Sequence, residues 1–359
     1  FDGFDTQAVA FTAPALLEHF NLQAGALAPI LTAGIVGMTI GAMLLGLLGD
    51  KLGRRKTLLF CTAIFSIATL CTAFVTNIEQ IFILRLIAGL GMGGATPVLL
   101  ALAAEYSPQR YRGTVTTCVL LALPAGAMCG GLLAAKILPI LGWQGIYLIG
   151  GVLPLILLFI LYFLLPESLE YLAQNSKASS YATIQRILNK ISPQPVDFIP
   201  IDQPKIPANQ VEKAKLAVLF QNGLARTTLG VWGTYFFNWI AWFMLLSWLP
   251  TILKQAGLAA DQAPYASVTV NAAFIIFALP LAYWLPKLNT AKILTFMLIT
   301  GLAIVLGLGL LIETQQWAYI FILIALAGFG IGGQQLALNY LVVAAYPTTV
   351  RATATGWAI

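Results

Sequence analysis

The chain has 359 residues, 59% of them hydrophobic and only 9% charged, with a net charge of +6. A soluble globular domain carries about 25% charged residues, so water is not its main solvent, and the alternating pattern of a membrane β-barrel is absent. The positive charge does not imply nucleic acid. Sixteen of the 19 lysines and arginines fall in loops on one side, Lys136 and Lys254 on the other, and Arg85 within a span; this is a positive-inside pattern.

Apolar runs of the ~20 residues that cross a bilayer are expected at about 4–19, 25–48, 57–76, 80–103, 114–138, 145–165, 228–250, 264–285, 292–312 and 317–343, and a stub near 352. Lipid cannot satisfy backbone polar groups, so the spans must be helices. The fold class is an all-α membrane protein. Phe1 is not a start methionine and the chain stops as a span begins, so truncation is expected within helix 1 and at the start of helix 11.

The first span carries Asp2-Gly3-Phe4-Asp5. The aspartates are three apart, hence on one helix face. Ionisable residues at membrane depth are costly and mark function. Desolvation and a neighbouring carboxylate both favour the protonated form, so the pair suits reversible proton carriage. His19, the only histidine, sits beside Glu18 at the outer end and reads as a surface residue.

Between the second and third spans lies Gly46-Leu47-Leu48-Gly49-Asp50-Lys51-Leu52-Gly53-Arg54-Arg55-Lys56. Its glycines let helix ends approach closely, and its cations hold a short loop on the cytoplasmic side. Asp50 is placed to pair with a cation or a helix N-terminus there. In the fourth span, Arg85 can clamp a carboxylate bidentately or hold a fixed ion pair with a helix 1 aspartate. Counting depth from the outer helix ends puts Asp5 ~21 Å down and Arg85 ~8 Å down, which argues against a tight pair. At the cytoplasmic end, Glu105 with Asp50, Arg54, Arg55, Arg112 and Glu167 reads as a cluster latching an inner gate, which would break and reform in alternating access.

Residues 167–226 are polar and proline-rich and read as a cytoplasmic linker between two bundles, 1–166 and 227–359, with short helices at 179–191 and 208–221. The seventh span is dense in aromatics: Trp232, Tyr235, Phe236, Trp239, Trp242 and Phe243 recur at helical spacing as one face. They read either as a ring-stacking wall or as lipid contact and interfacial belt; Asn238 and the central Trp239 favour some interior exposure. In the tenth span Gln334, Gln335 and Asn339 could bind a substrate or neighbouring helices.

The halves repeat. A shift of 239 residues carries Gly89-Leu90-Gly91-Met92-Gly93-Gly94 onto Gly328-Phe329-Gly330-Ile331-Gly332-Gly333, Pro108 onto Pro347, and Arg112 onto Arg351. That is the parallel repeat expected of two six-helix halves with a midplane site. The glycines fit close helix crossings, and Arg351 joins the inner-gate set. The shift puts Arg85 on Ile324 and Glu105 on Ala344, so buried charge is confined to the first half. No catalytic triad, metal cluster or nucleotide loop is evident. No enzyme and no cofactor is expected, and the four cysteines read as packing residues.

These motifs resemble a known family. The 46–56 loop is similar to the G-x-x-x-D-x-x-G-R-R-K loop of the major facilitator superfamily, which implies two pseudo-symmetric six-helix bundles. Asp2-Gly3-Phe4-Asp5 with Ala13-Pro14-Ala15-Leu16 resembles helix 1 of its aromatic acid:proton symporters, bacterial permeases for 4-hydroxybenzoate, benzoate and vanillate. Ala104-Glu105-Tyr106-Ser107-Pro108, Pro166-Glu167-Ser168 and Gly333-Gln334-Gln335-Leu336-Ala337-Leu338-Asn339 extend the match. The resemblance implies a proton-coupled importer of a small aromatic carboxylate in the bacterial inner membrane, its partners the organic anion, protons and lipid. It makes Arg85 the helix 4 arginine of proton-coupled transport and tilts Gln335 and Asn339 towards the site. The family's second-half histidine is absent.

Three other functions compete. Gly126-Ala127-Met128-Cys129-Gly130-Gly131 partly resembles the G-P-x-x-G-G signature of exporting antiporters, without its proline. Pro166-Glu167-Ser168 is shared with sugar facilitators, but Asp2, Asp5 and Arg85 favour an ionic substrate. A non-transporting receptor would need a sensory or docking domain, which the chain does not display.

Overall fold

The structure, a computed structural model, describes residues 1–174, 178–191, 219–220, 224–285 and 289–346. Twelve α-helices in chain order are α1 (Asp2–His19), α2 (Ala28–Leu52), α3 (Arg54–Thr72), α4 (Ile78–Glu105), α5 (Arg112–Leu164), α6 (Leu169–Gln174), α7 (Ala178–Ile191), α8 (Ala225–Gln255), α9 (Pro264–Trp284), α10 (Thr290–Leu311), α11 (Trp317–Ala327) and α12 (Gly333–Ala345). Among the described residues, seven helical stretches are long and apolar enough to cross a membrane, so this is a multi-pass membrane protein. One of them, Thr114–Leu164, has 51 residues. That is about 77 Å of helix against a hydrocarbon core of ~30 Å, enough for two crossings. The loop expected at 139–144 is reduced to a bend at Gly142, whose φ of 65° interrupts the helix where a residue without a Cβ turns most easily.

The chain forms two compact units, Phe1–Gln203 and Pro204–Ile359, and the boundary falls inside the 167–226 stretch. Helices α6 and α7 of that stretch belong to the first unit. Of the helix expected at 208–221, only 219–220 lie among the described residues.

In the first unit, small residues set the helix spacing. A Cβ on Gly37 or Gly41 of α2 would overlap the Leu86 or Leu90 carbonyl of α4, and one on Gly93 would overlap the Met38 carbonyl of α2. Between apolar helices in lipid, association comes from such backbone approach. Helix α1 is held in the same way, with Gly3 on the Leu123 carbonyl of α5 and Phe4 over Gly130. Its residues Ala8, Phe11 and Leu16 join Trp143, Ile146 and Tyr147 of α5 in one core.

The second unit repeats this device. Gly89 of α4 lies on the Gly34 carbonyl of α2, and Gly328 lies on the Val270 carbonyl of α9. The repeat differs in one respect. Gly89–Gly94 is continuous α-helix, whereas Gly328–Gly332 forms a π-helical turn between α11 and α12. Gly332 there faces the rings of Trp242 and Phe274. One core joins α8, α10 and α12 through Tyr235, Met297 and Leu338, and another joins α8, α9 and α11 through Leu253, Val270 and Ile320.

Candidate functional site

Four helices of the first unit converge on a buried ion pair. Helix α1 supplies Asp5 and α4 supplies Arg85, which are 1% and 3% exposed. Arg85 Nη1 donates to Asp5 Oδ2 at 2.9 Å. Its Nη2 donates to the hydroxyls of Thr69 (3.2 Å) and Thr72 (3.1 Å), three residues apart on α3. Thr69 in turn donates to Asp5 Oδ1 at 2.7 Å. One hydroxyl therefore bridges cation and anion. Below the guanidinium lies the ring of Tyr147, 5.1 Å away and within cation–π range. Its hydroxyl is 3.0 Å from Thr12 Oγ1. Arg85 Nε is buried with no protein acceptor. A cavity of about 30 Å³, lined in part by Asp5, Thr6, Ile30, Arg85 and Met92, adjoins the pair; it has room for a water or two.

This pair corrects the depth count, which argued against it. The count treated both helices as upright and level at their outer ends. A pair closed at 2.9 Å between α1 and α4 does not meet that assumption. The threonines were missed, although Thr62, Ser66, Thr69 and Thr72 recur at helical spacing through an otherwise apolar helix and all are buried. Asp2 has a different environment from Asp5: it accepts from the hydroxyls of Thr6 (3.3 Å) and Thr96 (3.2 Å).

A second cluster occupies the end of the same unit where α2 meets α3 and α4 meets α5. Arg54 pairs with Glu105 and, at 3.0 Å, with Glu170. Ser168 donates to Glu105 at 3.1 Å. Glu167 Oε1 accepts from the backbone N–H groups of Arg55 (2.9 Å) and Ser168 (3.0 Å), placing an anion at the N-terminus of α3, where the helix dipole favours it. Gly53 makes room: its φ is 101°, and a Cβ would stand 2.6 Å from the Glu167 carboxylate. Arg55 donates to the Tyr162 carbonyl and lies over its ring. Arg112 binds the Ala104 carbonyl at 3.0 Å, a cation near the end of α4. Tyr106 donates to the Glu167 carbonyl at 2.7 Å; burial, and then the nearby Glu167 charge, raise its pKa above the ordinary phenol value. Glu170 and Ser168 were not foreseen. Asp50 lies in α2, but its side chain is outside the described set, and Arg351 is outside the described residues.

In the second unit the polar residues form a bridge around the π turn. Asn238 Nδ2 of α8 donates to the Ile331 carbonyl (3.1 Å) and to Gln334 Oε1 (3.0 Å). Gln334 Nε2 donates to the Met297 carbonyl of α10 at 3.0 Å. Tyr235 donates to Asn339 Oδ1 at 2.5 Å. Both ends of the Gln334 amide are engaged, whereas Gln335 Oε1, Trp239 Nε1 and Asn238 Oδ1 are buried without protein partners. The aromatics of α8 do not form one face. Tyr235 is 2% exposed and Phe236 62%, because successive helical residues point about 100° apart. Trp239 stacks on Phe243, centroids 5.3 Å apart and planes at 23°.

Comparison with known proteins gives these features a context. The sequence model described as Major Facilitator Superfamily matches residues 1–359. The 4-hydroxybenzoate transporter PcaK of Pseudomonas aeruginosa is 33% identical over 360 residues, covering 99% of this chain and 79% of the relative. A gallate transporter of Pseudomonas putida is 34% identical over 361 residues, covering 99% and 78%. Among solved structures, the xylose transporter XylE from E. coli in an inward-open conformation superposes with a TM-score of 0.72 at 18% identity, covering 99% of this chain and 83% of that one; this shows the fold alone.

Proposed function

The chain belongs to the Major Facilitator Superfamily, and from that premise we propose that this transporter imports a small aromatic carboxylate together with protons, by alternating access, across the bacterial inner membrane. The substrate class follows relatives described as 4-hydroxybenzoate and gallate transporters. The observation that carries the coupling is the Asp5–Arg85 pair.

A buried pair is stable only while both charges are present, and an orphaned charge in a low-dielectric interior is costly. An arriving carboxylate competes with Asp5 for Arg85, whose guanidinium suits bidentate carboxylate binding. Asp5, deprived of its cation, is neutralised by a proton. Anion and proton then bind more favourably together than singly, which is a coupling free energy between two ligands. Thr69 and Thr72 hold Nη2 in place while Nη1 changes partner. Asp2, bound by hydroxyls, is the second proton carrier in this scheme.

Tyr235, Trp239, Asn238, Gln335 and Asn339 take the aromatic and polar parts of the substrate, with Gln334 holding Asn238 in place. Arg54, Arg55, Glu105, Arg112 and Glu167 form the first unit's part of an inner gate, whose ion pairs break and reform; Asp50 and Arg351 are assigned to it by the sequence alone. The positive-inside pattern puts the 167–226 stretch in the cytoplasm.

The test is uptake of labelled 4-hydroxybenzoate by the complete protein in proteoliposomes. Accumulation above the equilibrium level under an inward proton gradient, and not without it, is the expected result. Accumulation only under an outward gradient would make the protein an antiporter, and none under either would defeat the substrate class.

A further inference from the structure

The hydrogen bonds around Asn238 fix which way its amide faces. Its Nδ2 meets two acceptors, the Ile331 carbonyl and Gln334 Oε1. The carbonyl can only accept, so the nitrogen must be on that side. The Gln334 amide is fixed by the same reasoning, because its Nε2 meets the Met297 carbonyl. With both amide protons of Asn238 committed, its Oδ1 remains, in a residue 3% exposed, with no protein donor. The phenol of Tyr235, one turn earlier on α8, spends its proton on Asn339. Gln335 likewise buries Oε1 without a donor. Two acceptors, Asn238 Oδ1 and Gln335 Oε1, are therefore left without a donor here, while the indole N–H groups of Trp232 and Trp239 on α8 are left without an acceptor; a buried acceptor without a donor is costly.

We infer that Asn238 is a specificity-determining residue whose Oδ1 accepts a hydrogen bond from a donor on the substrate ring. The inference rests on the reading of the protein as an aromatic-carboxylate transporter and narrows it. An ionised carboxylate offers only acceptors. On such a substrate the proton must come from a ring substituent, a hydroxyl or an amino group. Bare benzoate has none, and a methoxy group can only accept. Sites that hydrogen-bond a substrate hydroxyl discriminate strongly against analogues lacking it, because the protein group is then left unpaired.

The experiment uses the complete protein in proteoliposomes and compares kcat/KM for 4-hydroxybenzoate, 4-aminobenzoate, 4-methoxybenzoate and benzoate. The two donors are expected to exceed the two non-donors by about tenfold or more, and Asn238→Ala is expected to bring that ratio towards one. Should Asn238→Ala fail to assemble, Asn238→Leu, which is close to asparagine in size and has no acceptor, takes its place. Equal transport of donors and non-donors by the wild type, or an unchanged ratio in the variant, would overturn the inference while leaving aromatic-acid transport intact. Transport of none of the four acids would instead defeat the broader reading.

Discussion

Arg85 and Asp5 lie 2.9 Å apart inside the first unit, and the hydroxyl of Thr69 touches both. Charge in a membrane helix needs a partner. Here that partner is a carboxylate, and the proposed function gives the pair a part in proton-linked transport as well as in packing.

The pair should behave as one thermodynamic unit. Arg85→Gln leaves Asp5 buried and uncompensated, a loss of ~3–5 kcal/mol. Adding Asp5→Asn removes the orphaned charge and should recover much of that loss. Unfolding midpoints of the purified single and double variants decide it; a double variant no more stable than Arg85→Gln would mean that the two residues are not coupled.

Thr69 bonds both members of the pair, and the proposed scheme gives it a positioning part outside the exchange. Thr69→Val keeps the shape and removes the bridging hydroxyl, and Thr69→Ser restores it. Hydrogen bonds to charged groups contribute ~1.5–3 kcal/mol, so valine should lower gradient-driven uptake about tenfold or more, while serine stays close to wild type. The pH profile of uptake should shift in the valine variant only. A serine variant as impaired as valine would point to methyl packing instead.

The close crossing of α2 and α4 makes its glycines unequal. A Cβ on Gly93 would overlap the Met38 carbonyl, whereas one on Gly34 meets nothing within 4 Å. Gly93→Ala should therefore destabilise by ~1–3 kcal/mol through overpacking, and Gly34→Ala should stay within ~0.5 kcal/mol. Melting of the two detergent-solubilised variants tests this; equal effects would contradict the crossing described here.

Glu167 stands in for the cap that α3 lacks in its own sequence. Its first turn holds no acidic residue and its N-cap is Gly53. Removing the carboxylate in Glu167→Ala should cost ~1 kcal/mol. Glu167→Gln should cost less, since one oxygen can still accept. Unfolding midpoints at low and high salt would show it; no difference between alanine and wild type would remove Glu167 from this role.

Much of this was legible in the sequence, for physical reasons. Asp5 and Arg85 stood out because ionisable groups are rare at membrane depth, and the glycine hexapeptides announced both close crossings. Their pairing stood in the sequence only as the alternative to a free Arg85, since relative helix depth and rotation are not encoded by periodicity. Thr69 and Thr72 escaped notice because threonine in a membrane helix usually bonds its own backbone, as Thr12 and Thr62 do here. The π turn was hidden because Gly328–Gly332 reads like its straight counterpart in α4. Phe236 was misassigned because helical spacing alone does not separate neighbours on a crowded aromatic helix.

The most direct measurement of the central claim follows protons and substrate together. Proteoliposomes holding a trapped pH indicator would be given 4-hydroxybenzoate, with wild-type protein and with Asp5→Asn beside it. Substrate entry accompanied by acidification of the lumen in the wild type, with both lost or uncoupled in Asp5→Asn, is the predicted result. Proton-linked uptake persisting unchanged in Asp5→Asn would contradict the proposal that the Asp5–Arg85 pair couples the two.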